Sequence, residues 1–458
     1  MLFASPLAAD LAALRSQLIG TIVVPGEDGW DQARQAWNLA ADQQPALVAL
    51  PRCSADVQVL VDHARHNGLR VAMQGTGHNA GPLVGAMERT MLVRTTEMRE
   101  VHIDAEARIA RVEAGVLWAE VTRPASELGL APLAGSSPDV GVVGYTLGGG
   151  LSWLARRYGL ASERLLAVEV VTADGRLVRC DRRIEPDLFW ALQGGGGSFG
   201  AVTAIEFELV PLPEVYAGML LWPADRAADV VHAWRAFTAD APDTITTSIR
   251  ILHLPPMPEL PDFLRGRSIV VVDGACTADE AAARELLAPL RALEPEMDTW
   301  AMIPPAGLSY IHMDPEEPMP GLSATAMLDA LPAEAVDAFV DLGKPGTPLL
   351  MVELRHLGGA VGRQGAGALG RLDGEYLMFA GGVPFDPSIV PALEAHLALA
   401  AAAMEEYGSG KGYLNFCERP TDPATFYGTE AYARLRRVKA DVDPQDLFQG
   451  NHQIAPAS

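Results

Sequence analysis

The sequence predicts an α+β protein: one part built on a β-α-β unit, and a later part on an antiparallel sheet backed by helices. Three observations point there. Residues 45–93 run strand, helix, strand; an Asp174-Gly175 pair between alternating apolar runs marks a hairpin; and after Pro211-Leu-Pro213 successive strands are punctuated by amphipathic helices. In the first part Pro45–Leu50 is a short apolar strand, Ser54 caps the helix Ala55–Asn67, Gly68 stops it, and Leu69–Met73 is the second strand. An apolar segment follows at Met91–Val93. Val101–Asp104 with Arg108–Glu113, and Leu165–Thr172 with Arg176–Arg179, read as hairpins. A helix over Asp187–Gln193 leads into a strand over Ala201–Val210. The second part alternates strands Val215–Leu221, Thr246–Leu252, Ser268–Asp273, Leu349–Leu354 and Tyr376–Ala380 with helices Ala224–Ala239, Ala278–Leu290, Ala333–Leu342 and Ile389–Tyr407. Proline-rich stretches at 255–261 and 304–320 are loops within it, and a last helix lies near Glu430–Ala440.

With 458 residues the chain has room for two or three domains and an ample core. A formal net charge of −23 argues against nucleic acid or an anionic membrane as partner, since both require a basic face. No apolar run approaches 18 residues, and the N-terminus lacks a basic start before its apolar stretch. No membrane span and no signal peptide are therefore expected, and the class is a soluble, cytoplasmic protein. Cys53, Cys180, Cys276 and Cys417 lie far apart, which fits reduced, mostly buried thiols and neither a zinc site nor a disulfide framework. His63 and His66 are one helical turn apart without a carboxylate at ligand spacing, so they read as a solvated face and no metal is expected.

Forty-four glycines ask for an explanation, because several fall in runs. Gln74-Gly-Thr-Gly-His-Asn79 follows a strand directly, where converging backbone N–H groups can form a nest for a pyrophosphate; a tight turn with a surface histidine fits it equally well. Gly135-Ser-Ser-Pro-Asp-Val-Gly141, continuing to Gly144-Tyr-Thr-Leu-Gly-Gly-Gly150, reads as loop that would be costly to order unless a ligand or another backbone passes close by. Gly194-Gly-Gly-Gly-Ser-Phe-Gly200 contains a formal G-x-G-x-x-G. Its context is inverted, with a helix before it and a strand after, so the nicotinamide-dinucleotide reading fails. No G-x-S-x-G elbow is present, which removes the simplest hydrolase reading.

Taken together these segments resemble the FAD-linked oxidases typified by berberine bridge enzyme, in the vanillyl-alcohol oxidase superfamily with its PCMH-type two-part FAD-binding domain. The likeness covers roughly residues 45–210 and 411–454. It rests on PALVALPRCSADVQVLVDHARHNGLRVAMQGTGHN, LGGGLSWLARRYGL, VEVVTADGRLV, DLFWALQGGGGSFGAVT, YLNF and YGTEAYARLRRVKADVDPQDLFQGNHQI in that order. It implies an FAD-binding domain over 1–210, a substrate domain over 211–408, and a C-terminal segment, 409–458, that returns to the FAD domain.

The resemblance also implies site roles. The loop Gly75, Thr76, Gly77 and Asn79 would wrap the pyrophosphate, with Gln74 where many relatives carry arginine, and His78 would bond covalently to the flavin 8α carbon. Some members add a second bond from a cysteine; here the segment containing Pro138 and Gly141 has Ser137 in that place, so a single covalent bond is expected. Val140 falls at the oxygen gate, where a small β-branched residue resembles the oxygen-reactive members. Gly144, Tyr145, Gly149, Gly150, Gly200 and Val202 would lie along the cofactor, and Asn415 and Asn451 would hydrogen-bond its ring or ribityl chain. Tyr413, in a Y-x-N motif, would be the base, and Glu353 an accessory acid or base, with Arg355 and His356 as alternatives. The implied activity is hydride removal from a small alcohol, sugar or natural product to FAD, then reduction of O2 to hydrogen peroxide. A dehydrogenase with another acceptor, or a flavin or metabolite binder without catalysis, stays open at this point.

Overall fold

The computed structural model describes residues 6–258 and 261–457. The first five residues of the N-terminal stretch, and residues 259–260 of the first proline-rich stretch, lie outside them.

A mixed four-stranded sheet runs Thr21–Val23, Leu47–Leu50, Thr90–Arg94, Arg70–Gln74. The first pair is antiparallel and the other two are parallel. Parallel pairing follows from the crossover helix Ser54–Asn67, whose Val57, Leu60, Val61 and Ala64 bury against the sheet. This helix begins at Ser54 itself with Cys53 at the cap, one residue earlier than the serine signal predicts. Asp56 in its first turn accepts the backbone N–H groups of Ile19, Gly20 and Arg52 and ties the N-terminal segment down. Gly68 ends the helix at φ 63°, a left-handed cap that glycine adopts at little cost.

A five-stranded antiparallel sheet follows, in the order Val101–Asp104, Ile109–Glu113, Ala201–Glu208, Leu165–Val171, Leu177–Cys180. The third glycine run has the inverted context read from the sequence: helix Pro186–Leu192 before it and strand Ala201–Glu208 after. The second does not stay a loop throughout, because Val142–Leu147 is helical, burying Val142, Val143, Thr146 and Leu147.

The second part is one large antiparallel sheet. Its long strands run in the order Val215–Pro223, Ser268–Cys276, Ile245–His253, Met351–His356, Tyr376–Gly382 and, at the edge, Leu322–Leu328. Alternation along the strands assigns the faces. Val270, Val272, Ile249, Ile251, Val352, Leu354 and Met378 pack under helices Ala227–Asp240, Ala333–Leu342 and Val390–Met404. Asp273, Arg250, Glu353, Arg355 and Phe379 occupy the opposite face. The strand Leu322–Leu328 goes unseen in the sequence because Ser323-Ala-Thr-Ala326 carries no strong β pattern beside the prolines. One helical stretch, Pro387–Tyr407, is long and apolar enough to cross a membrane (mean hydropathy 1.3), against the expectation of none. Its Leu393, Leu397, Ala400 and Met404 bury against the sheet as one stripe, while 22% of the apolar window as a whole is buried.

The C-terminal segment adds to the first sheet: Val71 donates to Leu447 O at 2.8 Å, and Gln449 N donates to Val71 O at 2.8 Å. Helix Thr429–Val442 leads to it, and fully buried Lys439 fastens the two together. Its Nζ donates to Ser198 O (2.7 Å), to Phe448 O (3.0 Å) and to the carboxylate of Asp443 (2.6 Å). Asp443 in turn accepts the N–H groups of Leu447 and Phe448. One buried ion pair therefore joins the third glycine run, the last helix and the C-terminal strand.

Candidate active site

All three glycine segments meet the C-terminal segment and the substrate-domain sheet around one cavity of about 420 Å³. Gln74, Gly75, Thr76, Gly77, His78 and Asn79 line it, as do Ser137, Val140, Gly141, Gly144 and Tyr145. So do Gly200, Val202, Glu353, Tyr413, Asn415 and Asn451. Pro138, Gly149 and Gly150 are not among its lining residues. The last two serve packing: a Cβ on Gly149 would come within 2.7 Å of Leu369, and one on Gly150 within 2.5 Å of Tyr145. They make room for the aromatic side chains that form the cavity wall.

The nest geometry of the first loop is present. Trp37 and Asn38 donate their N–H groups to the carbonyls of Thr76 and Gly77. In trans peptides this turns the N–H groups of Gly77 and His78 to the other side of the loop. Gln74 Nε2 and Asn79 Oδ1 are buried without a hydrogen-bond partner among the described residues. A Cβ on Gly144 would meet no protein atom within 4 Å. Orphaned polar atoms beside bare glycines call for a polar ligand that approaches closely, and the donor set fits FAD. No lysine lines the cavity and Arg355 is its one arginine, so phosphates there would rest on backbone dipoles.

The His78 ring is held on three sides. It stacks on Trp37 with centroids 4.1 Å apart, Nδ1 lies 2.7 Å from Thr76 Oγ1, and Nε2 lies 3.6 Å from Asp139 Oδ1. Asp139 accepts from Trp37 Nε1 (2.5 Å) and from Ser137 Oγ (2.6 Å). Trp37 escapes sequence reasoning because it sits in no glycine motif, and Asp139, although inside the Gly135–Gly141 segment, is not marked there as facing a histidine 61 residues earlier in the chain.

Across the cavity the substrate sheet presents a cluster of buried charges set by strand register. Arg250 pairs with Glu353 and Glu353 with Phe379; Ser248 pairs with both Asp273 and Arg355. Asp273 is fully buried and bonds to Ser248, Arg250 and His312 Nδ1 (2.8 Å). Burial pushes its carboxyl up, but Arg250 and His312 outweigh that and hold it well below the usual range. Arg355 Nη2 lies 3.2 Å from His312 Nε2, and Arg355 Nε donates to Glu353 Oε1 at 2.7 Å. A guanidinium only donates, so the hydrogen-bond pattern puts the imidazole proton on Nδ1, toward Asp273, and leaves Nε2 to accept from Arg355. The string Asp273, His312, Arg355 thus aims a guanidinium at Oε1 of Glu353. Oε2 has no partner among the described residues. His356 turns the other way, into the helix layer against Arg156 (3.0 Å) and Tyr376, where burial and then Arg156 push it down to about 3. It takes no part in the site.

Tyr413 is fully buried, and its hydroxyl oxygen accepts from Asn415 Nδ2 at 3.3 Å. Burial raises its pKa far above that of an ordinary phenol, more than Asn415, the Gly150 backbone and Arg355 pull it down. In this fold the hydroxyl therefore holds its proton more firmly than a free phenol does. Burial also raises the carboxyl of Glu418, another lining residue, to about 7 although Ser323 Oγ donates to it. Among the described residues no group of His, Cys, Asp and Glu is placed to hold a metal ion.

Comparison with known proteins agrees with this geometry. Residues 45–181 match the family model described as FAD binding domain, and residues 412–455 the model described as berberine and berberine like. The chain is 28% identical over 459 residues to (R)-6-hydroxynicotine oxidase of Paenarthrobacter nicotinovorans, covering 95% of this chain and 97% of that one. The crystal structure of 6-hydroxy-D-nicotine oxidase from Arthrobacter nicotinovorans superposes with a TM-score of 0.82 at 26% identity, over 96% of this chain and 98% of that one. BBE-like 1 of Physcomitrella patens shares the fold with a TM-score of 0.86 at 18% identity, over 98% and 99%. These matches, in a fold shared along nearly the whole chain, give the conclusion that the chain carries an FAD-binding domain and a berberine-like C-terminal segment and is similar to FAD-linked oxidases.

Proposed function

We propose that the protein oxidises a small alcohol, sugar or natural product by hydride removal, with dioxygen as final acceptor and FAD held by a single covalent bond to His78. The observation that carries the chemical half of this reading is Glu353, whose Oε2 sits in the cavity wall without a donor. A buried carboxylate oxygen left unpaired is costly, and a substrate O–H or N–H would supply the missing hydrogen bond. Bound FAD supplies the two-electron acceptor for the substrate's hydride. The chain supplies the rest. Glu353 takes the substrate's proton, Arg355 fixes Glu353 through Oε1, and Phe379, Phe416 and Tyr413 form aromatic walls that exclude water. The reading is tested by anaerobic mixing with a panel of alcohols, sugars and phenolic natural products. At least one member should bleach the flavin, whereas a flavin that stays oxidised with all of them would leave a binder.

Two variants refine it. Tyr413→Phe is expected to slow flavin reduction by about tenfold, the worth of one hydrogen bond; a loss as great as that of a Glu353 variant would return the base role to Tyr413. Val140 lines the cavity, and its carbonyl is fixed by Trp118 N at 3.0 Å. One methylene in a tight pocket is worth roughly 10–200-fold, so Val140→Ile should slow reoxidation of the reduced flavin in air by that order and leave its reduction unchanged. Equal reoxidation rates would remove the gate from Val140.

A further inference from the structure

The geometry points to Asp139 as the general base that activates His78 for its own attachment to FAD. This inference rests on the single covalent bond proposed above and adds the group that makes it form. His78 is fixed by contacts from three separate segments, with Trp37 on its face, Thr76 at Nδ1 and Asp139 facing Nε2. Among the described residues no lysine or arginine pairs with Asp139, so the His78 ring is the one basic side chain facing it. Its carboxylate is also held in place, because Trp37 Nε1 donates to one oxygen and Ser137 Oγ to the other. Burial raises its pKa, but His78, Ser137 and Trp37 together hold it below the ordinary value, so the group stands ionised beside the ring. Asp139 is not among the residues lining the cavity.

A carboxylate facing one ring nitrogen sets the tautomer and stabilises the positive charge the ring acquires when the other nitrogen reacts. Here Asp139 faces Nε2–H and leaves the lone pair on Nδ1, where the Thr76 hydroxyl rests beforehand. Attachment forms a bond from the imidazole nitrogen to the 8α carbon, removes one proton from that carbon and one from the ring, and leaves the flavin two electrons and two protons richer. The ring proton leaves through Asp139. Dioxygen then takes the two electrons and two protons as hydrogen peroxide and restores the oxidised flavin. Ser137, which stands where the resemblance puts a second attachment cysteine, serves this arrangement by orienting the base.

The test follows covalent incorporation, with no substrate needed. The full-length chain is produced under riboflavin limitation and supplied with FAD. Flavin retained in acid-precipitated protein is measured over time, and non-covalent binding is measured by quenching of flavin fluorescence. The wild type should become covalently yellow. Asp139→Asn should bind FAD as tightly as the wild type but incorporate it at least about 10²-fold more slowly. Trp37→Phe, which keeps the stacked ring and loses the donor to Asp139, should fall between the two. Asp139→Asn incorporating at the wild-type rate overturns the proposal. So does a variant that loses covalent and non-covalent flavin together, since the carboxylate would then serve only to build the site. A wild type that releases all its flavin on denaturation overturns the attachment to His78 itself, an outcome read in a different arm.

Discussion

Glu353→Gln slows anaerobic flavin reduction by about 10²–10⁴, the range that general-base assistance supplies, with flavin content and fold retained. The substitution keeps the shape of the side chain and an oxygen for Arg355 Nε, now 2.7 Å from Oε1. It removes the proton acceptor. The site around it explains why this residue should carry so much. Asp273 and Glu353 face Arg250 and Arg355 in a water-poor wall, and burial of so many charges is expensive unless they are paired. The hydrogen bonds of Asp273 fix His312, His312 fixes Arg355, and Arg355 fixes Glu353, so Oε2 is held at one place in the wall. Transient-state mixing of the variant with a substrate found in the panel measures the rate. Reduction within a few-fold of the wild type would show that the proton leaves by another group.

Lys439→Met is expected to cost about 3–5 kcal/mol of unfolding free energy, because it leaves Asp443 as an uncompensated buried charge. Lys439 and Asp443 are both fully buried, and the lysine spans three elements and also reaches Asp446 Oδ1 at 3.1 Å, a carboxylate that Arg70 binds as well. Urea denaturation of the holoprotein reads the loss. The double variant Lys439→Met, Asp443→Leu should recover part of it, since an apolar pair no longer strands a charge. Flavin should also be held less tightly in the single variant, because Gln449, Gly450, Asn451 and His452, just beyond the clamp, line the cavity. A single variant within about 1 kcal/mol of the wild type would show that the two backbone donors to Asp443 suffice.

The sequence makes the flavin side of this site legible and leaves much of the substrate side hidden, for a physical reason. The glycine-histidine loop, the Val140 position and the Y-x-N motif are local: their residues are neighbours in the chain, so a resemblance of short segments to a known family carries the signal. Asp273, Arg250, His312 and Glu353 lie on separate strands and a loop, and only sheet register brings them together. A trace of them is present, since Ser248, Arg250 and Asp273 interrupt otherwise apolar strands, and a charged residue in a buried strand needs a partner. Gly149 and Gly150 show the opposite case. Their presence in a run is legible, but their use is to let Leu369 and Tyr145 approach, which the run itself does not distinguish from phosphate binding. Tyr413 is found by its motif, yet its protonation depends on burial, and only the folded chain shows how deep it lies.

The most direct test of an oxidase built around this cavity begins with the flavin bleached by substrate in the absence of air. Dioxygen is then admitted while absorbance and peroxide are followed together. The flavin spectrum should return within the time of a single turnover, with one hydrogen peroxide formed per flavin. A flavin that stays reduced in air, and returns to yellow only with a quinone or protein acceptor, would contradict the account and make the protein a dehydrogenase.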